Sequence, residues 1–298
     1  MKFRVVIVTR DSAGWIGTIA DAYRRLGLRP LYLVHDKTRD ATTEILVKAG
    51  EDVRPITLAR DYVEAAISQF PNLVEEDWVL RMDDDEFPSR RMIDFTQKAI
   101  NRTKEQAIVF PRREALPHVA PLAYPRMEIL YNAPLIPFLI DPQARAFRHR
   151  EVAFSAEIHT PGFVPASVRV APENAYMVHF NTTVRSFAQR LAKLARYEKE
   201  SPGAGILPAA CTSLPEILTP EELRARPFET REFDELARRL RFIPQDEAAE
   251  TADSEVQARI LAHFKQARVA SSEELKLDVL RDRIAALPAW ARAFFDLR

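Results

Sequence analysis

Four short apolar runs, at 3–8, 30–34, 52–56 and 77–82, alternate with stretches of helical spacing through the first 111 residues. Runs of this length are too short for buried helices and are rich in Val, Ile and Leu. That is the pattern of strands covered on both faces. Between them the apolar residues of 15–26 and 42–49 fall at helical intervals. Gly27 and Gly50 stand where each helix should stop, since glycine takes the left-handed conformation that ends a helix at no steric cost. Stretches 62–70 and 89–101 read as further helices and 107–111 as a fifth strand. Strands alternating with helices of about ten residues predict a doubly wound, mostly parallel sheet flanked by helices.

The pattern changes beyond Pro111. Prolines become frequent, 163–170 and 176–180 read as antiparallel strands, and 184–200 is again helical. Residues 201–220 read as an irregular connection, and Arg-, Glu-, Leu- and Ala-rich helices follow to residue 298. The expected division is a catalytic domain over 1–200 and a helical C-terminal extension over 201–298. The apolar positions of the last helices, among them Phe264, Leu287, Trp290 and Phe294, are read as packing on the domain or in a homodimer. Peripheral membrane contact is the other use of such an amphipathic end.

Composition narrows the function. Lys plus Arg and Asp plus Glu both number 43, so no net charge draws the chain to nucleic acid. A single cysteine, Cys211, excludes an internal disulfide framework and fits a reducing, cytoplasmic setting. No stretch has the roughly 18 apolar residues of a spanning helix.

The chemistry concentrates where strands end. Open α/β sheets bind ligands outside the carboxyl ends of their strands. Thr9, Arg10 and Asp11 follow the first run, His35 and Asp36 the second, Arg60 and Asp61 come shortly after the third, and Asp83, Asp84, Asp85 and Glu86 follow the fourth. Four consecutive carboxylates repel one another, and a hard cation that also bridges phosphates would relieve them. Further on, Arg145, Phe147, Arg148, His149 and Arg150 make a basic cluster suited to a diphosphate or an anionic acceptor. Arg185 and Lys193, eight apart on a helix, could both approach one side of it.

WVLRMDDDEFPS at 78–89 resembles the strand and DxD motif of family 2-like glycosyltransferases of the GT-A fold. VVIVTRDSAGWIGTIADAY is similar to their nucleotide-binding turn, and LYLVHDKTRDATTEIL to the loop whose aspartate, here Asp36, reads base or ribose. FSAEIHTPGF and MVHFNTTVRSFAQRLAKLARYE resemble their latter half. The resemblance covers residues 1 to about 200 and implies a nucleotide-diphospho-sugar donor, Mn²⁺ or Mg²⁺, and transfer to a hydroxyl acceptor with inversion favoured. It implies Asp85, Asp83 and His179 as metal ligands. Thr9, Arg10, Asp11, Asp36, Arg60, Asp83, Arg185 and Lys193 are expected at the donor. Glu157 is the candidate base, with Asp141 and Glu114 behind it, and His159 and Arg148 are expected at the acceptor. The familiar acidic base motif of inverting members is not plain. Two other readings remain: a sugar-phosphate nucleotidyltransferase, disfavoured by only 7 glycines overall, and a non-catalytic binding protein on the same fold.

Overall fold

The parallel half of the sheet is built from β1 (Phe3–Thr9), β2 (Leu31–His35), β3 (Asp52–Ile56) and β4 (Trp78–Asp83), in the order β3-β2-β1-β4 with every pair parallel. The structure, a computed structural model, describes residues 2–58, 62–115, 123–125, 141–155, 161–203, 225–227, 231–241 and 254–270. All of β2 and the last five residues of β1 are buried, as apolar runs covered on both faces should be.

Crossovers place α1 (Ile16–Arg25) after β1 and α2 (Thr42–Lys48) after β2. In α1 the buried residues Ile16, Ile19, Ala20 and Tyr23 form one stripe at helical spacing. Both expected glycine stops are realised. Gly27 takes φ +74° and donates to Arg24 O while Leu28 donates to Tyr23 O; Gly50, at φ +73°, and Glu51 repeat the arrangement on Val47 O and Leu46 O. These paired bonds satisfy carbonyls that the helix end leaves open.

The stretch 62–70 departs from the expected helix. It forms a 3-10 helix, Val63–Gln69, running into the four-residue α3 (Phe70–Leu73). Pro71 can sit only in the first turn of a helix, because its ring clashes with the turn before it. After β4 come β5 (Glu86–Pro88), α4 (Arg90–Ala99), β6 (Ala107–Glu114), β7 (Ala123–Pro125) and β8 (Asp141–Arg148). The run expected at 163–170 is broken by Pro165. The short ribbon β9 (Ala153–Phe154) pairs antiparallel with β10 (Phe163–Val164), whereas β11 (Val168–Val170) joins the main sheet parallel to β6, not antiparallel as expected. β12 (Met177–His179) pairs antiparallel with β5.

The main sheet therefore continues β4-β8-β6-β12-β5. Three strands lie between β4 and β5, a path of about 19 Å at the usual strand spacing. The chain from Asp83 to Glu86 spans at most about 11 Å. The sheet must curl so that its β12–β5 edge returns to the carboxyl end of β4. That curl brings His179 to the acidic turn.

Two compact units are formed, Met1–Arg112 with Pro142–Phe180 and Arg231–Pro244, and Arg113–Asp141 with Asn181–Thr230 and Gln245–Arg298. They do not follow a single cut at residue 200. The second unit contains α5 (Asn181–Val184), α6 (Phe187–Glu200), the strand β13 (Ala225–Pro227) paired with β7, and α8 (Ser254–Ala270). Ser186 opens α6 with a capping box to Gln189, and Arg259 on α8 donates to Glu198 on α6 at 3.1 Å. The helix α7 (Arg231–Arg241) belongs to the first unit. No described helix is long and apolar enough to cross a membrane. The expected packing residues beyond 270 lie outside the described residues.

Candidate active site at the acidic turn

The four parallel strands end level. Val8 pairs with Asp83, Thr9 with Val34, and His35 with Ile56. From β1 the chain winds outward to β2 and β3, then crosses back to β4 on the other side of β1. The boundary between β1 and β4 is thus the switch point where connecting loops part and an open α/β sheet offers its ligand crevice. The acidic turn and the Thr9–Ser12 loop meet there.

Each carboxylate of the turn has a different partner. Asp84 is tied to the β1 loop: Thr9 Oγ1 donates to its Oδ2 at 2.9 Å, the Ser12 hydroxyl donates to the same oxygen, and Trp15 Nε1 donates to its backbone carbonyl at 3.1 Å. Asp83 lies between two buried arginines, with Arg81 Nη2 2.7 Å from Oδ1 and Arg145 Nη2 2.9 Å from Oδ2. Glu86, fully buried, accepts from Arg145 Nη2 at 2.5 Å and Arg112 Nη1 at 3.4 Å, and its other oxygen accepts the Asp83 N–H at 3.1 Å. Burial alone would lower the pKa of Arg145; the charges of Asp83 and Glu86 outweigh it and leave it raised. Asp85 is buried, and its Oδ1 lies 3.4 Å from His179 Nε2. The Asp85 carbonyl accepts the Phe180 N–H at 2.7 Å. The register His179 with Glu86 fixes this approach.

The loops leaving β1 and β2 are bound to each other. Asp11 has φ +50°, a left-handed conformation that aspartate tolerates better than most residues. Its carboxylate accepts the Arg39 N–H at 2.7 Å and Arg10 Nε at 3.2 Å. Asp40 accepts the N–H groups of Ala13 and Thr42, and the Thr42 hydroxyl accepts the Ser12 N–H. Asp36 sits at the end of β2, half exposed, with Oδ1 3.0 Å from His35 Nδ1.

The structure therefore gathers Thr9, Arg10, Asp11, Asp36, Asp83, Asp85 and His179 along one edge of the sheet. It does not bring Arg148 there. Arg148 pairs with Trp78 at the opposite end of β4, lies over the Trp78 ring at 5.2 Å and pairs with Glu151 at 3.0 Å. His149 and Arg150 bond backbone carbonyls of Glu76 and Val74 at that same end. The basic cluster is thus split by its strand: Arg145 points into the acidic turn while its neighbours brace the far edge. Arg185 and Lys193 belong to the second unit, where Arg185 donates to Asn181 and the Lys193 ammonium lies 5.9 Å from the Tyr197 ring centre. Arg60, Asp61, Glu157 and His159 lie outside the described residues, as do the side chains of Glu114 and Asp141.

Sequence reasoning missed Arg81 and Arg112 as partners of the turn. A signal for Arg81 was present, since strand alternation puts it on the same face as Asp83. Among the described residues no three His, Cys, Asp or Glu side chains gather as a metal-holding group. The Asp85–His179 pair still fits a divalent cation of the kind that one or two protein ligands hold while substrate phosphates and water complete the shell.

No family model matches the chain, and no curated protein matches it in sequence. Among solved structures it is similar to TarS residues 1–349 from S. aureus, with 15% identity over 98% of this chain and 87% of that one at a TM-score of 0.41. The same protein in complex with UDP-GlcNAc gives 14% identity over 98% and 88% at 0.42. Glucosyl-3-phosphoglycerate synthase from Mycobacterium tuberculosis, in complex with Mn²⁺, UDP-glucose and phosphoglyceric acid, gives 12% over 67% of this chain and 79% of that one at 0.43. At this level of similarity the chain's own strand order and contacts carry the functional reading.

Proposed function

We propose that this chain is a metal-assisted glycosyltransferase of the GT-A type, moving a sugar from a nucleotide-diphospho-sugar to a hydroxyl acceptor. The observation that carries the reading is the meeting of Asp85 and His179, 3.4 Å apart, at the switch point of the parallel sheet. Asp85 and His179 would hold the cation, which supplies Lewis-acid neutralisation of the departing diphosphate. An oxygen–nitrogen donor pair suits Mn²⁺ better than Mg²⁺, because imidazole is a poor ligand for the harder ion. Thr9, Arg10, Asp11 and Asp36 line the edge on which the nucleotide would lie. Asp83 has both oxygens on arginines, and we assign it the support of Asp85 rather than metal ligation.

In the transfer the acceptor oxygen attacks the anomeric carbon, the bond from that carbon to the diphosphate breaks, and the hydroxyl proton passes to a base. Glu157 is the proposed base and His159 the proposed acceptor contact.

The test is a thermal-shift screen of nucleoside diphosphates and nucleotide-sugars with and without Mn²⁺ or Mg²⁺. Binding to the native state alone at a hundredfold excess over Kd stabilises by about 2.7 kcal/mol. One nucleotide should stabilise the protein only with metal, and Asp85→Ala should remove that shift while the ligand-free melting temperature changes little. No shift with any nucleotide under any metal condition would sink the proposal and leave a non-catalytic binding protein as the better reading.

A further inference from the structure

The helix α7 returns from beyond residue 230 to lie against α1. Its buried residues Phe233, Leu236, Ala237 and Leu240 form a single stripe at helical spacing. Glu235 pairs with Arg25 at 2.6 Å and Arg239 with Asp21 at 2.7 Å. As one index rises the other falls, so the two helices run antiparallel. Those bridges are largely exposed and add little energy. They fix the register of α7 on α1, and the register decides where Phe233 lands.

Phe233 is fully buried, and its ring meets Phe87 edge-on at 6.2 Å and Tyr176 at 5.8 Å. Phe87 is the middle residue of β5, immediately after the acidic turn, and it also meets Tyr23 of α1 edge-on at 4.9 Å. The Tyr23 hydroxyl in turn donates to the Glu86 carbonyl at 3.4 Å. Tyr176 precedes β12, and its carbonyl accepts the Ser89 N–H at 3.0 Å. Phe233 therefore touches both strands that bring Asp85 and His179 together: β5 through Phe87, and the approach to β12 through Tyr176. A three-residue strand pair holds its register weakly on its own, and the aromatic cluster behind it supplies packing that two strands of that length lack.

We propose that Phe233 is a positioning residue for the acidic turn: helix α7 braces the β5–β12 pair from behind and so fixes the approach of His179 to Asp85. The ligand part of its test rests on the cation–diphosphate reading above, and the structural part does not. Side chains that orient metal ligands without touching the metal commonly change its affinity tenfold or more when removed.

The experiment compares Phe233→Ala with Phe70→Ala, a buried phenylalanine stacked at 6.2 Å on Phe147, which pairs with Val79, four residues before Asp83. Two quantities are read in the intact chain. Hydrogen exchange is measured at the β5 and β12 amides and at the Phe180 amide, which donates to Asp85. Affinity for Mn²⁺ with a nucleoside diphosphate is measured by titration calorimetry. Phe233→Ala should speed exchange at those amides and weaken affinity by about tenfold, whereas Phe70→Ala should do neither at an equal loss of melting temperature. If Phe233→Ala does not fold, Phe233→Leu should give the same pattern at smaller amplitude. Unchanged exchange in both Phe233 variants overturns the proposal, and so does equal exchange in Phe70→Ala, which would mean general loosening. If the wild type binds no nucleotide while Phe233→Ala still speeds exchange at the turn, the brace stands and the transferase reading falls.

Discussion

Replacing Arg145 with methionine removes a side chain that touches two carboxylates of the acidic turn. Its Nη2 donates to Asp83 Oδ2 at 2.9 Å and to Glu86 Oε1 at 2.5 Å, and the residue is 1% exposed. Methionine fills much of the same volume, so the cavity left is small and the loss is mainly electrostatic. Asp83 keeps Arg81 at 2.7 Å, whereas Glu86, wholly buried, keeps the Asp83 N–H at 3.1 Å and, as its charged partner, Arg112 at 3.4 Å. Leaving a buried charge without its partner costs about 3–5 kcal/mol, roughly 6–20 °C in melting temperature for a domain of this size. The residual Arg112 contact sets the expectation at the lower end. The assay is urea denaturation of wild type, Arg145→Met, Glu86→Gln and the double variant. Because the guanidinium exists to compensate the carboxylate, the double variant should recover about 1–3 kcal/mol of the single loss as a coupling energy. A single variant within about 1 kcal/mol of wild type, or a double variant no more stable than Arg145→Met, would show that the arginine does not carry the charge of the turn.

Thr9→Val keeps the shape of the residue but removes a hydrogen bond to the Asp84 carboxylate. Denaturation should show a loss of about 1.5–3 kcal/mol, towards the lower end because the Ser12 hydroxyl remains. Gly162 and Gly27 both have positive φ, +82° and +74°, yet a Cβ at Gly162 would lie 2.3 Å from Ile67 Cδ1 and 3.1 Å from the Glu64 carbonyl while one at Gly27 meets nothing within 4 Å. Gly27→Ala should therefore cost about 1–2 kcal/mol and Gly162→Ala about 3 kcal/mol or more, through added overpacking; equal losses would refute the packing argument. Glu64 is buried, its Oε2 meets no hydrogen-bond partner among the described residues, and burial raises its pKa above the ordinary 4.5 against the opposing pull of Arg81. A raised folded-state value means the folded protein holds the proton more tightly, so its contribution is fully present below about 4.5 and is lost as pH rises through the folded value. Glu64→Gln should gain stability relative to wild type between pH 4 and pH 7, and a relative loss over that range would reverse the sign of the argument.

The parallel half of the fold was legible because its determinants are local. Each strand is an apolar run long enough to announce burial on both faces, and Gly27 and Gly50 end their helices by a conformation only glycine adopts freely. The pairing of the other half was not legible, for an equally physical reason. The stretch 176–180 reads as a strand and forms β12, but β5, β11 and β12 have three residues each, too few to show which neighbours they take. Their order in the sheet is set by pairings between residues about sixty to ninety apart, such as Val168 with Ala107 and Phe87 with Val178. The helix α7 shows the same limit from the other side. Its apolar stripe was readable as a helix, but nothing in the stripe says that it packs on α1, more than two hundred residues earlier, instead of within a C-terminal extension.

The same distinction between local and distant causes reorders the candidate site. Read along the chain, Asp83, Asp84, Asp85 and Glu86 form a block of negative charge that asks for a cation. In the fold that block is dismantled residue by residue: Asp83 goes to Arg81 and Arg145, Glu86 to Arg145 and Arg112, and Asp84 to two hydroxyls. Arginine suits this use because its planar fork stays charged when buried and presents several donors at fixed angles. The abundance of carboxylates is then no argument for a metal, since Asp83, Asp84 and Glu86 each take partners from within the fold. What argues for one is the side chain that Asp85 meets. Asp85 is the member of the turn whose side chain faces an imidazole, and β12 carries that imidazole to it across the curl of the sheet. A site that needed only charge balance would have been complete with a further arginine. A nitrogen donor beside a carboxylate can complete part of a cation's shell, which is why the cation reading rests on His179 and not on the count of acids.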